Sequence, residues 1–182
     1  MKATGIVRRI DDLGRVVVPK EIRRTLRIRE GDPLEIFTDR EGEIILKKYS
    51  PIGELGQFAG QYADALAQAT GCLVCITDRD HVIAASGNGK KDFDSKPISK
   101  PLETAIEERG SFLAVKGDKG YIKVTLDDRE EHSAQAVSTI ICEGDAIGAV
   151  ILCQNDEKEK FGETEMKLAQ VASGFLSRQM EQ

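Results

Sequence analysis

Apolar and polar residues follow two different patterns along the chain, and the change between them falls near residue 50. Before that point, short β-branched runs alternate with turn residues such as Asp11-Asp12-Leu13-Gly14, which is typical of strands joined by tight turns. The predicted strands occupy residues 4–10, 15–18, 34–38 and 43–48. Pro19 suits the first position of a helix, and Ile22 and Leu26 share one helical face. Residues 1–50 are therefore predicted to form a β-rich unit of two hairpins and one short helix.

Beyond residue 50, amphipathic stretches alternate with apolar runs. Residues 54–70 and 161–179 place apolar side chains at helical spacing and are predicted to be helices. The clearest hairpin is predicted at 136–153, around the turn Glu143-Gly144-Asp145. A shorter helix is predicted at 101–109, and further strands at 72–77, 81–86, 112–115 and 121–126. This succession predicts an α+β domain in which helices cover one sheet.

The small size of the first unit predicts that it needs a second copy of the chain. A unit of 50 residues without a metal or a disulfide buries little apolar surface, and its open hairpin edges can pair with another chain. We therefore expect an obligate dimer through residues 1–50. The predicted domain boundaries are 1–50 for this unit, 51–55 for a linker and 56–182 for the second domain.

Charge is distributed unevenly along the chain. The net charge is −5, yet residues 1–30 carry nine Lys and Arg against four Asp and Glu. Residues 51–182 carry 14 basic side chains against 22 acidic ones. A basic segment in an acidic protein predicts an anionic partner for the first unit alone.

Five segments of the first unit match one known family in the same order. They are Thr4-Gly5-Ile6-Val7-Arg8, Asp12-Leu13-Gly14-Arg15-Val16-Val17, Pro19-Lys20-Glu21-Ile22-Arg23-Arg24, Gly31-Asp32-Pro33-Leu34-Glu35-Ile36 and Ile44-Ile45-Leu46-Lys47-Lys48. In these segments the chain resembles the AbrB-like transition-state regulators, which are swapped-hairpin DNA-binding domains. The resemblance implies that two chains interleave their hairpins into a barrel-like dimer that binds double-stranded DNA through arginines.

The same resemblance supplies the candidate DNA-binding residues. The arginines at matching positions are Arg8, Arg15, Arg23 and Arg24, and second-rank contacts are expected from Lys2, Arg9, Lys20 and Arg27. Arginine suits phosphate because its planar guanidinium offers a bidentate pair of donors and stays charged. Since hairpins and a short helix offer no long recognition helix, DNA shape is expected to contribute most of the specificity.

The second domain contains an aromatic residue, an acid four residues later and then an apolar helix, at Phe161, Glu165 and 166–179. This pattern is similar to the end of many GAF sensory domains, and it implies a GAF-like α+β fold for residues 56–182. An AbrB-like domain followed by a GAF-like domain resembles a family of sporulation transcription regulators. That layout implies a homotetramer through pairing of the GAF-like domains, and activation and repression of forespore-stage genes.

No catalytic residue, metal site or cofactor is predicted, and the protein is not expected to be an enzyme. Cys72 and Cys75 are three residues apart on a predicted strand, so their side chains point to opposite faces and cannot hold one metal ion. An unidentified small-molecule effector in the GAF-like domain stays open. One alternative function is a thiol-redox or small-molecule enzyme on a GAF-like fold, which requires a reactive cysteine of low pKa. Another is an antitoxin-type DNA-binding module, which requires a disordered tail.

The sequence also predicts a cytoplasmic protein with no membrane partner. No apolar run approaches the ~20 residues that span a bilayer. The residues Met1-Lys2-Ala3-Thr4-Gly5 lack the apolar core of a signal peptide.

Overall fold

The computed structural model describes residues 5–129, 132–154 and 161–181. The chain divides into two compact units, Met1–Tyr49 and Ser50–Gln182, called here the first and second units. Among the described residues, no helix is long and apolar enough to cross a membrane.

The first unit contains one short helix and one hairpin. Their bounds are Lys20–Thr25 for α1, Leu34–Thr38 for β1 and Ile44–Lys48 for β2. The strands are antiparallel, from the pair Leu34 and Lys48 to the pair Thr38 and Ile44. Gly42 takes a φ of 84° in the connecting turn, a conformation that glycine adopts without steric cost. The predicted hairpin and helix are both confirmed.

The strands predicted at 4–10 and 15–18 do not form in the single chain. None of the described residues 5–10 and 15–18 belongs to a strand, and residue 4 lies outside the described residues. The turn between them does form, since the Asp11 N–H donates to the Arg15 carbonyl at 3.1 Å. A strand forms only where a neighbouring strand pairs with its backbone N–H and carbonyl groups, and neither segment belongs to a sheet among the described residues.

The first unit leaves its apolar side chains in solvent. Pro19 is the one buried residue in the described range 5–49. Val7 is 86% exposed, Val17 73% and Ile36 66%. A single copy of this unit therefore has no hydrophobic core.

The second unit is a five-stranded antiparallel sheet with helices on both faces. Its strands follow the order β4-β3-β7-β6-β5. The strand bounds are Leu73–Asp78 for β3, Val82–Ser86 for β4, Ser111–Val115 for β5, Ala134–Cys142 for β6 and Asp145–Gln154 for β7. The helix bounds are Pro51–Glu54 for α2, Gly56–Thr70 for α3, Lys100–Glu107 for α4 and Glu163–Met180 for α5. The predicted α+β domain is confirmed.

Two hydrophobic cores lie on opposite faces of this sheet. On one face α2, α3 and α5 pack their apolar residues against alternate positions of the strands, including Val74 and Val150. On the other face α4 and the loops contribute Phe93 and Leu102 to a second core. The strand predicted at 121–126 is wrong: this segment is a loop with a single bridge from Thr125 to Ile98.

The segment predicted as a linker, 51–55, is instead built into the second unit. Its first four residues form α2, where the Ser50 hydroxyl accepts the Gly53 N–H and Ile52 is only 1% exposed. The same hydroxyl donates to an Asp78 carboxylate oxygen at 2.9 Å. The preceding residue, Tyr49, donates its N–H to the Pro33 carbonyl of the first unit at 3.0 Å. The boundary therefore falls between Tyr49 and Ser50, with no intervening residue, because each is bonded into its own unit.

Candidate nucleic-acid interface

Arg15 stands at the end of a tight turn that is organised by Asp11. One carboxylate oxygen of Asp11 accepts the N–H groups of Leu13 at 3.0 Å and Arg15 at 2.7 Å. The other oxygen accepts Nε–H of the Arg15 guanidinium at 2.9 Å. The backbone and side-chain hydrogen bonds from Arg15 hold the pKa of Asp11 below its usual value, because they favour the carboxylate. The turn therefore presents the charged guanidinium of Arg15, whose Nε is hydrogen-bonded to Asp11.

Arg23 and Arg24 lie side by side on α1, directly after the turn segment. Both are exposed and occupy the last turn of the helix, where positive charge is stabilised by the helix dipole. Glu21 lies in the first turn of the helix, as predicted, whereas Pro19 is the residue before the helix and not its first position. In the parts of the chain that the structure describes, no carboxylate forms an ion pair with either arginine. Both guanidinium groups are therefore available to an anionic ligand.

The segment that follows α1 is held by a lysine from β2. Lys48 Nζ donates to the Arg27 carbonyl at 2.9 Å and lies 3.0 Å from a carboxylate oxygen of Asp32. That carboxylate also accepts the Arg29 N–H at 2.8 Å. Burial alone would raise the pKa of Asp32, but the hydrogen bonds from Arg29 and Lys48 outweigh it and the pKa is lowered. This network anchors the helix that presents Arg23 and Arg24.

The remaining predicted contacts occupy different environments. Arg8 and Arg9 are exposed in the extended segment before the turn, and Lys20 is exposed at the first position of α1. Arg27 is half-buried at a φ of 52°, so its side chain is less open than those of the other arginines. Lys2 lies outside the described residues.

Sequence reasoning missed the role of Asp11. It treated Asp11 only as a turn residue, although an aspartate four residues before an arginine across a glycine turn is a recognisable signal for such a contact. The missing step was that one carboxylate can cap the turn with one oxygen and bind the arginine with the other.

The second unit contains a cavity of about 610 Å³ on the face of the sheet covered by α4. Its lining mixes positive and negative side chains with one aromatic pair, and the Phe93 and His132 ring centroids are 5.5 Å apart. The lining residues are Asn88, Gly89, Lys91, Asp92, Phe93, Lys96, Asp127, Asp128, Arg129 and His132. A volume of this size lies within the usual range for small-molecule sites.

Three of the four cysteines are buried in the hydrophobic cores of the second unit, and Cys142 is half-buried. Cys72 belongs to the core on the α5 side of the sheet and Cys75 to the core on the α4 side, so the two thiols do not converge. Burial raises the pKa of Cys75 and Cys153 well above the ordinary thiol value, and that of the half-buried Cys142 is raised as well. Thiolates are therefore disfavoured at these three positions, which is the opposite of what thiol catalysis requires.

Three carboxylates cluster at the β1–β2 turn, where Asp39, Glu41 and Glu43 have oxygens within 4.8 Å of one another. Asp39 accepts the N–H groups of Glu41 at 3.0 Å and Glu43 at 2.8 Å. The cluster is largely exposed, and the Asp39 side chain closes the hairpin turn.

Comparison with known proteins places these features in one family. The model of the stage V sporulation protein T C-terminal transcription factor family matches residues 54–181. Over all 182 residues the chain is 57% identical to stage V sporulation protein T of Bacillus subtilis (strain 168), and the match covers both chains completely. The chain belongs to the stage V sporulation protein T family. It is accordingly a sporulation transcription factor with an AbrB-like DNA-binding unit and a GAF-like unit.

Matches to the separate units agree with this family. The first unit is 67% identical over 51 residues to transition state regulatory protein AbrB of Bacillus subtilis, which covers 28% of this chain and 52% of AbrB. A family model described as a bacterial antitoxin, MazE, matches residues 7–54. The cofactor-binding GAF domain of the nutrient sensor CodY from Clostridium difficile is similar to the chain in fold, with a TM-score of 0.52 and 14% identity, covering 88% of this chain and 94% of that one. In this chain the AbrB-like match precedes a folded second unit, and the chain belongs to a transcription factor family, so neither the antitoxin nor the thiol-enzyme alternative is favoured.

Proposed function

We propose that two copies of the first unit interleave into one clamp whose arginines hold the phosphates of double-stranded DNA. Arg8, Arg15, Arg23 and Arg24 of each copy make the principal contacts, and Lys2, Arg9, Lys20 and Arg27 contribute less. The single observation that carries the proposal is a unit that combines exposed arginines with exposed apolar residues on the same 45 described residues, 5–49. The clamp acts in the cytoplasm, where it activates some forespore-stage genes and represses others, and the protein performs no catalysis.

The dimer is supported by the apolar face of the β1–β2 hairpin. Ile36 pairs with Leu46, and Ile44 lies two positions along the same face. These side chains are 66%, 44% and 67% exposed in one copy. A second hairpin packed on this face would bury all three and would also supply strands to pair with 5–10 and 15–18. The hydrophobic effect favours this burial at roughly 25 cal/mol per Å² of apolar surface.

Pairing through the second unit then joins two clamps into a tetramer. Phe58, Tyr62 and Phe175 form an aromatic cluster between α3 and α5, with the Tyr62 and Phe175 centroids 5.3 Å apart. Phe175 remains 38% exposed, and Val171, one turn earlier on α5, is 64% exposed. We propose that this apolar face of α5 packs against the same face of another copy.

Replacing Ile36 by aspartate is expected to halve the solution mass of the full chain, from tetramer to dimer. A charge at the centre of the hairpin face would be buried without a partner, which the first unit cannot tolerate. Light scattering after size exclusion measures the mass, and circular dichroism checks that the second unit stays folded. The matched control is Leu126→Asp, at a side chain that is 52% exposed in the second unit, and it should leave the mass unchanged. An Ile36→Asp protein with the wild-type mass would contradict the interleaved dimer.

We propose further that the second unit regulates the first by controlling the placement of the two clamps. The support is the boundary itself, where Tyr49 is hydrogen-bonded into one unit and Ser50 into the other. An effector bound in the cavity would contact Phe93, which packs in the same core as Cys75 of β3. Strand β3 ends at Asp78, the residue that accepts the Ser50 hydroxyl. The mixed charges of the lining suit a small polar molecule that carries both signs.

Inserting six Gly and Ser residues between Tyr49 and Ser50 is expected to weaken binding to long DNA without weakening binding to short DNA. A long duplex engages both clamps of a tetramer, and its affinity depends on their fixed placement; a short duplex engages one clamp. The expected result is a roughly tenfold fall in the ratio of the two affinities. The same insert between Arg40 and Glu41, at the exposed hairpin tip, is the control and should leave the ratio unchanged. An unchanged ratio in the Tyr49–Ser50 insert would exclude coupling through the boundary.

A further inference from the structure

Asp11 and Arg15 are linked by a bond that the turn itself does not require. The turn is already closed by two backbone hydrogen bonds, from Asp11 N–H to the Arg15 carbonyl at 3.1 Å and from Gly14 N–H to the Asp11 carbonyl at 3.0 Å. One oxygen of the Asp11 carboxylate adds two N–H bonds to this turn. The second oxygen does something different, since it binds the guanidinium of Arg15 through Nε.

The bond through Nε leaves the most useful part of the arginine uncommitted to Asp11. A guanidinium has five N–H donors, and four of them belong to the two terminal amino groups. The Arg15 side chain is 70% exposed and that of Asp11 38% exposed, so the pair lies at the surface. A phosphate can approach the terminal amino groups of Arg15 while Asp11 holds the other end of the guanidinium.

We propose that Asp11 is a positioning residue for DNA binding, which orients the Arg15 guanidinium so that its two terminal amino groups meet a phosphate. This rests on the proposed function, in which Arg15 is a phosphate contact. A long side chain that is already oriented loses less rotamer freedom when it binds, and this improves affinity without adding a contact. The lowered pKa of Asp11 is consistent with a carboxylate that stays ionised in this role.

Charge repulsion alone predicts the opposite effect of removing the Asp11 carboxylate on DNA affinity. Asp11 is an anion close to the DNA surface, so its removal would reduce repulsion and tighten binding. Between solvent-exposed charges a few ångströms apart, such repulsion is weak in water, because the high dielectric constant of the solvent reduces it. The oriented arginine, in contrast, makes a direct charge-assisted hydrogen bond, which is short and strong. We therefore expect the loss of orientation to dominate.

The test is Asp11→Asn in the full chain, measured by fluorescence anisotropy with a labelled promoter duplex. Asparagine keeps one acceptor oxygen for the Leu13 and Arg15 N–H groups, but its amide nitrogen cannot accept from Nε. We expect Asp11→Asn to bind DNA about five- to tenfold more weakly, and the salt dependence of its affinity to become shallower, toward that of Arg15→Ala. In an Arg15→Ala background, Asp11→Asn should change affinity less than twofold.

Asp39→Asn is the matched control. Asp39 caps the β1–β2 turn with the same two kinds of N–H bonds, from the residues two and four positions later, but in the described chain its carboxylate binds no arginine. This variant should keep wild-type affinity, and both aspartate variants should keep the wild-type melting temperature.

Four results would overturn the proposal, and the last of them would overturn the proposed function as well. Asp11→Asn that binds DNA as tightly as wild type or more tightly would favour repulsion over positioning. If Asp11→Asn reduced DNA affinity by the same factor in the Arg15→Ala background as in the wild type, Asp11 would act only by stabilising the turn. If Arg15→Ala itself binds normally while Arg24→Ala does not, Arg15 is no phosphate contact and the role of Asp11 falls, although the clamp stands. If neither arginine variant loses affinity, the proposed function itself fails.

Discussion

Arg24→Ala is expected to weaken the binding of double-stranded DNA by about 10²–10⁴-fold. Each dimer loses two symmetry-related contacts, and a hydrogen bond to a charged group contributes about 1.5–3 kcal/mol. Arg24 is exposed on α1 and has no ion pair to a described residue, so no other interaction is lost with it. Alanine favours helix, and α1 should therefore persist. Anisotropy titrations of a promoter duplex at fixed salt measure the change.

Arg40→Ala is the control for this prediction. Arg40 is another exposed arginine of the first unit, at the β1–β2 turn, and it is not among the predicted contacts. Its loss should change affinity less than about threefold, as expected for one charge remote from the phosphates. Wild-type affinity in Arg24→Ala, or equal losses in the two variants, would remove α1 from the proposed interface.

Gly148→Ala is expected to destabilise the second unit by about 4 kcal/mol or more, a size reached by few single substitutions. Gly148 lies on β7 opposite Asp78 of β3. An added Cβ would collide with the Thr77 backbone carbonyl oxygen and stand 2.7 Å from Ile52 Cδ1. Neither neighbour can move cheaply, because β3 is held between β4 and β7 and Ile52 is buried beside it. The melting temperature should fall by roughly 10–15 °C, as measured by calorimetry.

Gly60→Ala, in the same unit, is expected to stabilise the protein. Gly60 lies inside α3, and a Cβ at this position would have no atom within 4 Å. Alanine should raise the free energy of unfolding by about 0.5–1 kcal/mol, because it restricts the unfolded chain and favours helix. If Gly148→Ala melted with the wild type, the close packing of α2 against β3 and β7 would be wrong.

The sequence predicted the elements whose stability is local or whose pattern is complete within one chain. The 34–48 hairpin has alternating apolar residues around a turn that ends in Gly42, and α5 has helical spacing over its whole length. The strands predicted at 4–10 and 15–18 carry an equally good pattern, but the described residues of these segments join no sheet in the single chain. The sequence pattern shows that a segment favours a β-strand. Whether the strand forms depends on a second strand that pairs with it, and the pattern does not identify that strand.

Residues 51–55 were predicted to be a linker, but the first four of them form α2. The start of this helix could have been predicted from the sequence, whereas its burial could not. Ser50 followed by Pro51 is a standard signal for the start of a helix, and the Ser50 hydroxyl does cap α2. The burial of Ile52 could not have been foreseen, since it depends on the absence of a side chain at Gly148, far away in sequence.

The candidate site divides in the same way. The arginines could be chosen from their clustering and family positions, whereas the bond from Asp11 to Arg15 depends on the shape of one turn.

The salt dependence of DNA binding reports how many phosphates one dimer neutralises. In the proposed clamp, eight arginines, four from each of two chains, neutralise phosphates on one duplex. With a duplex that accommodates one dimer, a plot of log affinity against log salt concentration should have a slope of about −7, and Arg24→Ala should reduce it to about −5. A wild-type slope shallower than about −3, or an unchanged slope in Arg24→Ala, would contradict the arginine clamp.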